Sequence, residues 1–170
     1  AQTDPNGNTT TGIDRVETSI SQFNMWGGAS VKEEAAAWSN ADYLNIWVCD
    51  LGPNLLGYAI PASSFISSED GIVINYPNFG NSGNSNAPYH KGRTATHEVG
   101  HWLNLEHIWG DNNCGNDNVN DTPEHEQENV GCPSFPKSSS CSGAGVNGEM
   151  FMNYMDYTND ACMNLFTTGQ

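Results

Sequence analysis

Residues 97–107 read HEVGHWLNLEH, and this stretch restricts the fold more than any other part of the chain. His97 and His101 are four residues apart, so on an α-helix their imidazoles leave the same face one turn apart and can share a metal ion. Ala95, Val99, Trp102 and Leu103 support a helix over residues 93–105. Glu98, between the histidines, stands beside the open coordination position rather than in the ligand set. A carboxylate there can take a proton from a metal-activated water. His107 lies too far along to share that helical face unless the chain reverses sharply. The residue at the reversal must take left-handed backbone angles, which glycine adopts most easily. The chain has Asn104 there instead. Among non-glycine residues asparagine is the best tolerated at positive φ, at a cost of roughly 1 kcal/mol, so the turn is feasible. The expectation is sharp: Asn104 is left-handed and His107 reaches the same ion as His97 and His101, or the helix runs on and His107 points elsewhere.

The 170 residues, 36% of them hydrophobic, suffice for one domain with a core, split into two lobes by a cleft. Five Lys+Arg against 20 Asp+Glu give a net charge of -15, which repels nucleic acid and anionic membrane surfaces and attracts basic peptides. The longest apolar runs, YLNIWVCDL (43–51) and GIVINY (71–76), are strand-length, far short of the roughly 20 residues a membrane helix needs, so no membrane insertion is expected. The start, AQTDPNGNTTTG, has neither a charged nor an apolar leader region, so a signal peptide is expected to have been removed or to lie outside this sequence. Five cysteines in an acidic, Lys-poor chain point to an oxidising compartment, and secretion is the expected location.

Residues 13–26 alternate only partly and suggest an edge strand; KEEAAAWSN (32–40) suggests a short helix. Residues 43–51 read as a strand buried on both faces, with Leu44, Ile46 and Val48 on one and Tyr43, Trp47 and Cys49 on the other. Residues 55–63 read as a strand that Pro61 confines to an edge, and 71–76 as a third strand. After Gly110 the chain is rich in Asn, Asp, Ser, Gly and Cys, and such a lobe needs disulfides or ions to hold it. His90 and His125 lack ligand spacing and are read as surface residues. Met150, Met152, Met155 and Met163 fit an ordinary core, but an extended zinc-binding helix is also accompanied by a methionine turn beneath the metal, and Met155 in NYMDY suits it. Cys114, Cys132, Cys141 and Cys162 allow three pairings, among which spacing does not choose, and no Cys-x-x-Cys pair supports a zinc-thiolate cluster. GDNNCGNDNVNDTPEHE (110–126) concentrates hard oxygen ligands of the kind calcium prefers, without EF-hand spacing; a solvated acidic loop is the alternative.

HEVGHWLNLEHIWG followed by NYMDY resembles the pappalysin family of metzincin metalloproteases, and DPNGNTTTGI, YLNIWVCDLG, LLGYA and the cysteine-rich tail are similar to family segments. The resemblance implies an α+β, metzincin-like zincin catalytic domain. Its upper lobe, about 1–104, would carry a mixed twisted sheet and the active-site helix; its lower lobe, about 105–170, would be irregular and disulfide-stapled. It implies His97, His101 and His107 as zinc ligands, Glu98 as general base, Met155 as the Met-turn residue and Tyr157 as a group steadying the tetrahedral intermediate. It implies disulfides Cys114–Cys141 and Cys132–Cys162, leaving Cys49 as a buried free thiol. It implies calcium bound by Asp117, the Val119 carbonyl, Asp121 and Thr122, and Asp160 at the base of the pocket for the residue just after the scissile bond, favouring Arg or Lys. The implied partner is an extended peptide or protein substrate along residues 55–62. A non-catalytic zinc- and calcium-binding module and a zinc amidase are the rival readings. Two departures stand out: Asn104 replaces glycine, and related chains carry a strand and helix before AQTDPNG and a helix after FTTGQ, so the sequence reads as trimmed at both ends.

Overall fold

A computed structural model describes residues 2–26, 28, 30–62, 68–81, 83 and 85–170. Its centre is a three-stranded mixed sheet of β1 (Ile46–Cys49), β2 (Gly57–Ile60) and β3 (Gly71–Asn75), in the order β1-β3-β2. β3 pairs parallel with β1, Trp47 opposite Val73, and antiparallel with β2, Tyr58 opposite Val73. All five β3 residues are buried, as expected of a central strand packed on both faces. β2 takes the edge, as Pro61 requires; residue 63 of the expected strand lies outside the described residues.

The expectation that β1 is buried on both faces fails. Trp47 enters the core with Phe23, Val31, Leu51, Tyr58 and Val73, but Ile46 is 45% and Val48 43% exposed. Among the described residues nothing covers that second face, and alternation alone could not reveal it. The expected edge strand over 13–26 is not a strand: Phe23 makes one ladder-like bond, its N–H to the Asp50 carbonyl at 2.8 Å, and its ring joins the core. The expected helix at 32–40 shrinks to α1 (Val31–Glu34), capped by Ser30. Asn45 explains the early stop, because its side chain accepts from the Trp38 N–H and donates to the Trp38 carbonyl, both at 2.8 Å, drawing that segment into an extended path.

Helix α2 (Arg93–Trp102) packs across β2 and β3 and ends three residues before the expected 105. Beyond it the lower lobe holds no helix or strand among the described residues. It is closed by disulfides Cys114–Cys141 and Cys132–Cys162, with Cα separations of 5.5 and 5.8 Å, and by a small apolar cluster of Ile108, Trp109 and Met155. Apart from Cys141, Ala144, Phe151 and Met163, the buried side chains of the rest of its interior are polar. Asp156 accepts from the Asn129 backbone and side chain, at 2.7 and 2.9 Å, and Glu149 accepts from Lys137 at 2.7 Å and Asn129 at 3.0 Å. Satisfied buried networks of this kind replace the missing secondary structure. His125 belongs to that interior, correcting the surface reading: it is fully buried, its Nε2 accepts from the Met150 N–H at 2.9 Å, and its Nδ1 faces Asp156 at 3.6 Å. His90 is half-buried, with its Nδ1 out of solvent. Cys49 is free but only half-buried; burial, aided by the Asp50 charge, pushes its thiol up to about 11.

Candidate metal centre

Helix α2 is finished at both ends by unusual means. At the start, Gly92 is left-handed and provides no side-chain cap. The cap comes from Asp160 in the other lobe, whose Oδ2 accepts from the Lys91 N–H at 2.6 Å and the Arg93 N–H at 3.2 Å. At the far end Asn104 has φ 72°, the left-handed turn expected of it. The Asn104 N–H donates to the His101 carbonyl at 2.8 Å and the Leu105 N–H to the Gly100 carbonyl at 3.0 Å, the pair of bonds that closes a Schellman turn. The chain therefore doubles back and brings His107 to the helix face.

The three imidazoles meet at the floor of a cleft of about 800 Å³. His101 Nε2 lies 3.0 Å from the Nε2 of His97 and 3.0 Å from that of His107. Every Nδ1 is turned outward to an acceptor: His97 to the Tyr154 carbonyl at 2.7 Å, His101 to the Leu105 carbonyl at 2.8 Å, His107 to Asp111 Oδ1 at 2.6 Å. Carbonyl and carboxylate oxygens only accept, so each Nδ1 carries the hydrogen and each Nε2 lone pair points inward. Burial, reinforced by the neighbouring imidazoles, pushes His97 down to about 3, and burial likewise lowers His101. His97 and His101 are thereby kept neutral at neutral pH, the form that ligates a metal. Zinc–nitrogen bonds of about 2.0–2.1 Å in a tetrahedron put ligand atoms about 3.4 Å apart, so this donor set fits zinc closely.

Glu98 is 6% exposed beside the cluster, and burial pushes its carboxyl up to about 8. It can pack there because residue 57 on β2 is glycine: a Cβ would stand 2.9 Å from the Val73 carbonyl oxygen and 3.1 Å from Glu98 Oε1. Gly100 has a similar purpose. Mid-helix glycine costs about 1 kcal/mol relative to alanine, but a side chain here would collide with the sulfur of Met155. Met155 is fully buried against the helix at Gly100. Neither glycine is marked by any spacing rule, which is why sequence reasoning passed over both. Tyr157 stands at the rim, its ring centroid 5.6 Å from that of His97 and 4.9 Å from that of His107. Burial, then the charges of Glu98, Asp111 and Glu128, push its phenol up to about 12, so it stays a hydrogen-bond donor.

The remaining site residues fall in two places. Asp160, 2% exposed, lines the cleft while capping α2. Asp117, 6% exposed, accepts through Oδ1 from the Val119 N–H at 3.1 Å and the Thr122 hydroxyl at 2.8 Å, and its Oδ2 is buried with no hydrogen-bond partner among the described residues. Asp121 is turned toward the tail, accepting from the Thr167 hydroxyl at 2.7 Å and the Gly169 N–H at 2.9 Å.

A mixed sheet with an antiparallel strand at the cleft edge, a helix bearing two of three convergent imidazoles and a methionine turn beneath them together define a metzincin-like zincin fold. Residues 28–170 match the family model described as Pregnancy-associated plasma protein-A, peptidase M43, and the chain belongs to this pappalysin family of metallopeptidases. Mature mirolysin of Tannerella forsythia, solved in complex with a cleaved peptide, is 50% identical and superposes with a TM-score of 0.87 over 99% of this chain and 65% of that one. Mirolysin solved in complex with a small compound gives 51% identity and a TM-score of 0.88 over the same shares. Extracellular metalloprotease 1 of Coccidioides posadasii is 49% identical over 52% of this chain and 31% of its own length, and an extracellular metalloprotease of Uncinocarpus reesii is 43% identical over 75% and 45%. The chain thus spans about a third to a half of these curated relatives and about two thirds of the solved mirolysin chains.

Proposed function

We propose that the chain works as a secreted, zinc-dependent endopeptidase with Glu98 as general base, stabilised by calcium and preferring Arg or Lys just after the scissile bond. The observation that supports it most is the convergence of three imidazoles, each with Nε2 turned inward, beside the buried side chain of Glu98 at the floor of an open cleft. Zinc on these three nitrogens would supply Lewis acidity, activating water and polarising the scissile carbonyl. Glu98, whose proton affinity is raised by burial, accepts the proton of the attacking water and delivers it to the leaving amine. Tyr157, protonated throughout, donates a hydrogen bond to the oxyanion. β2 lines the cleft with its backbone edge, along which an extended substrate pairs as an added strand, as residues 55–62 were expected to allow. The peptide seen with mirolysin and the extracellular relatives agree with peptide cleavage outside the cell.

Asp160 would place a carboxylate against a basic side chain, its Oδ2 already shared with the helix cap. For calcium, the orphaned Asp117 Oδ2, the Val119 carbonyl and the Thr122 hydroxyl supply hard oxygens; Asp121 joins only by releasing the tail. The test is a peptide library incubated with the parent and with Glu98→Ala, each with and without a zinc chelator. Cleavage by the parent alone, abolished by chelator, is expected. A parent that binds zinc and cleaves nothing sinks the reading and leaves a non-catalytic binding module.

A further inference from the structure

His97 and His101 are held by a regular helix, and each rests its Nδ1 on a backbone carbonyl. His107 has neither support. It lies in irregular chain past the Asn104 turn, and three other groups fix its ring. Trp109 stacks flat on it, centroids 4.3 Å apart at 10°. Tyr157 meets it edge-on at 4.9 Å. Asp111 takes its Nδ1 hydrogen at 2.6 Å, the shortest of the three outward bonds. Four residues separate Asp111 from His107, yet no helix joins them: Gly110 and Asp111 are both left-handed, at φ 60° and 55°. For a residue with a Cβ that conformation costs energy and persists only where something else requires it. Here it swings an otherwise exposed carboxylate back onto the ring.

We propose that Asp111 is the outer carboxylate of the metal site, a positioning residue that fixes the tautomer and orientation of His107 through a backbone turn held in strain for that purpose. The assignment rests on the zinc reading of the three histidines. A carboxylate on the far nitrogen raises the basicity of the ligating one and prevents the ring from flipping, and loss of such partners weakens metal binding by about 10–100-fold.

Asp111→Gly separates this role from a structural one. Glycine removes the carboxylate but accepts the left-handed angle freely. Zinc dissociation constants measured by competition with a chromophoric chelator, together with metal-free thermal midpoints, decide it. The expected result is a metal-free midpoint within a few degrees of the parent with zinc held about 10–100-fold more weakly. Asp111→Asn, which keeps an acceptor oxygen and tolerates positive φ, should fall between. If the parent binds one zinc and Asp111→Gly binds within threefold of it, the Asp111 assignment is wrong while the histidine site stands. The assignment is equally wrong if both variants lose zinc only in step with lost metal-free stability. If the parent takes up no zinc, the site reading itself fails and carries Asp111 with it.

Discussion

Replacing Asn104 probes the turn on which the third histidine depends. The residue is exposed, its φ is 72°, and the pair of backbone bonds at 2.8 and 3.0 Å that close the helix involve main-chain atoms alone. Substitution therefore changes little but the cost of the left-handed angle. Alanine raises that cost by about 1 kcal/mol, equivalent to about 2–4 °C in thermal midpoint for a domain of this size. Glycine removes the cost but loosens the unfolded chain by about 0.4–1 kcal/mol, so Asn104→Gly should melt close to the parent. Part of the strain in Asn104→Ala is relieved by letting the helix run on, which carries His107 away from the cluster. An energy of about 1 kcal/mol corresponds to about a fivefold change in population, so zinc affinity should fall by up to about fivefold in Asn104→Ala and hold in Asn104→Gly. Calorimetry of the metal-free proteins and chelator competition for zinc measure both. Should Asn104→Gly bind zinc more weakly than Asn104→Ala, the side-chain amide rather than the backbone angle governs His107, and the turn does not have the role given to it.

Asp160→Ala removes the acceptor of the Lys91 and Arg93 N–H groups, and should cost about 1 kcal/mol in urea unfolding; cleavage of matched peptides with Arg or Leu after the scissile bond should lose its bias, and an unchanged ratio would count against the pocket role. Calcium should raise the thermal midpoint of the parent and do so less in Asp117→Asn, whereas a parent indifferent to calcium contradicts the ion site. Acid stability follows from the buried neighbours His125 and Asp156. Burial pushes His125 down to about 4, so its contribution is present above about pH 6.5 and lost as pH falls toward 4, worth up to about 3 kcal/mol. Burial pushes Asp156 up to about 6, so its contribution is lost in the opposite sense, as pH rises from about 4 to 6. The two slopes oppose each other in the parent. In Asp156→Asn the stability measured by urea unfolding should fall more steeply between pH 6.5 and 4 than in the parent, and parallel curves would refute the account.

How far the chain could be read in advance depended on whether a local rule was at work. The spacing of His97, His101 and His107 and the tolerance of asparagine for positive φ are local, and the turn at Asn104 formed as those rules require. β2 sits at the edge where Pro61 confines it. What escaped was set by distant partners. Nothing near residue 38 announces that Asn45 will cut α1 short, and nothing near His125 shows that Met150 and Asp156 will enclose it. The two glycines that admit Glu98 and Met155 are legible only once the helix and its neighbours are placed. The lower lobe, lacking periodicity, offered its cysteines, the oxygen-rich loop 110–126 and Met155 in NYMDY, but nothing that foretold the path of its backbone.

The cap on α2 has a temporal side. A chain emerges from the ribosome in order, and the carboxylate that completes the start of the ligand-bearing helix lies 69 residues beyond the Lys91 amide that it receives. While the chain has been made only as far as about residue 110, the first turn of that helix lacks this acceptor, His107 has no Tyr157 against its ring, and the cleft has one wall. A ligand-bearing helix finished this way is complete only once the segment carrying residue 160 has been delivered and folded against it.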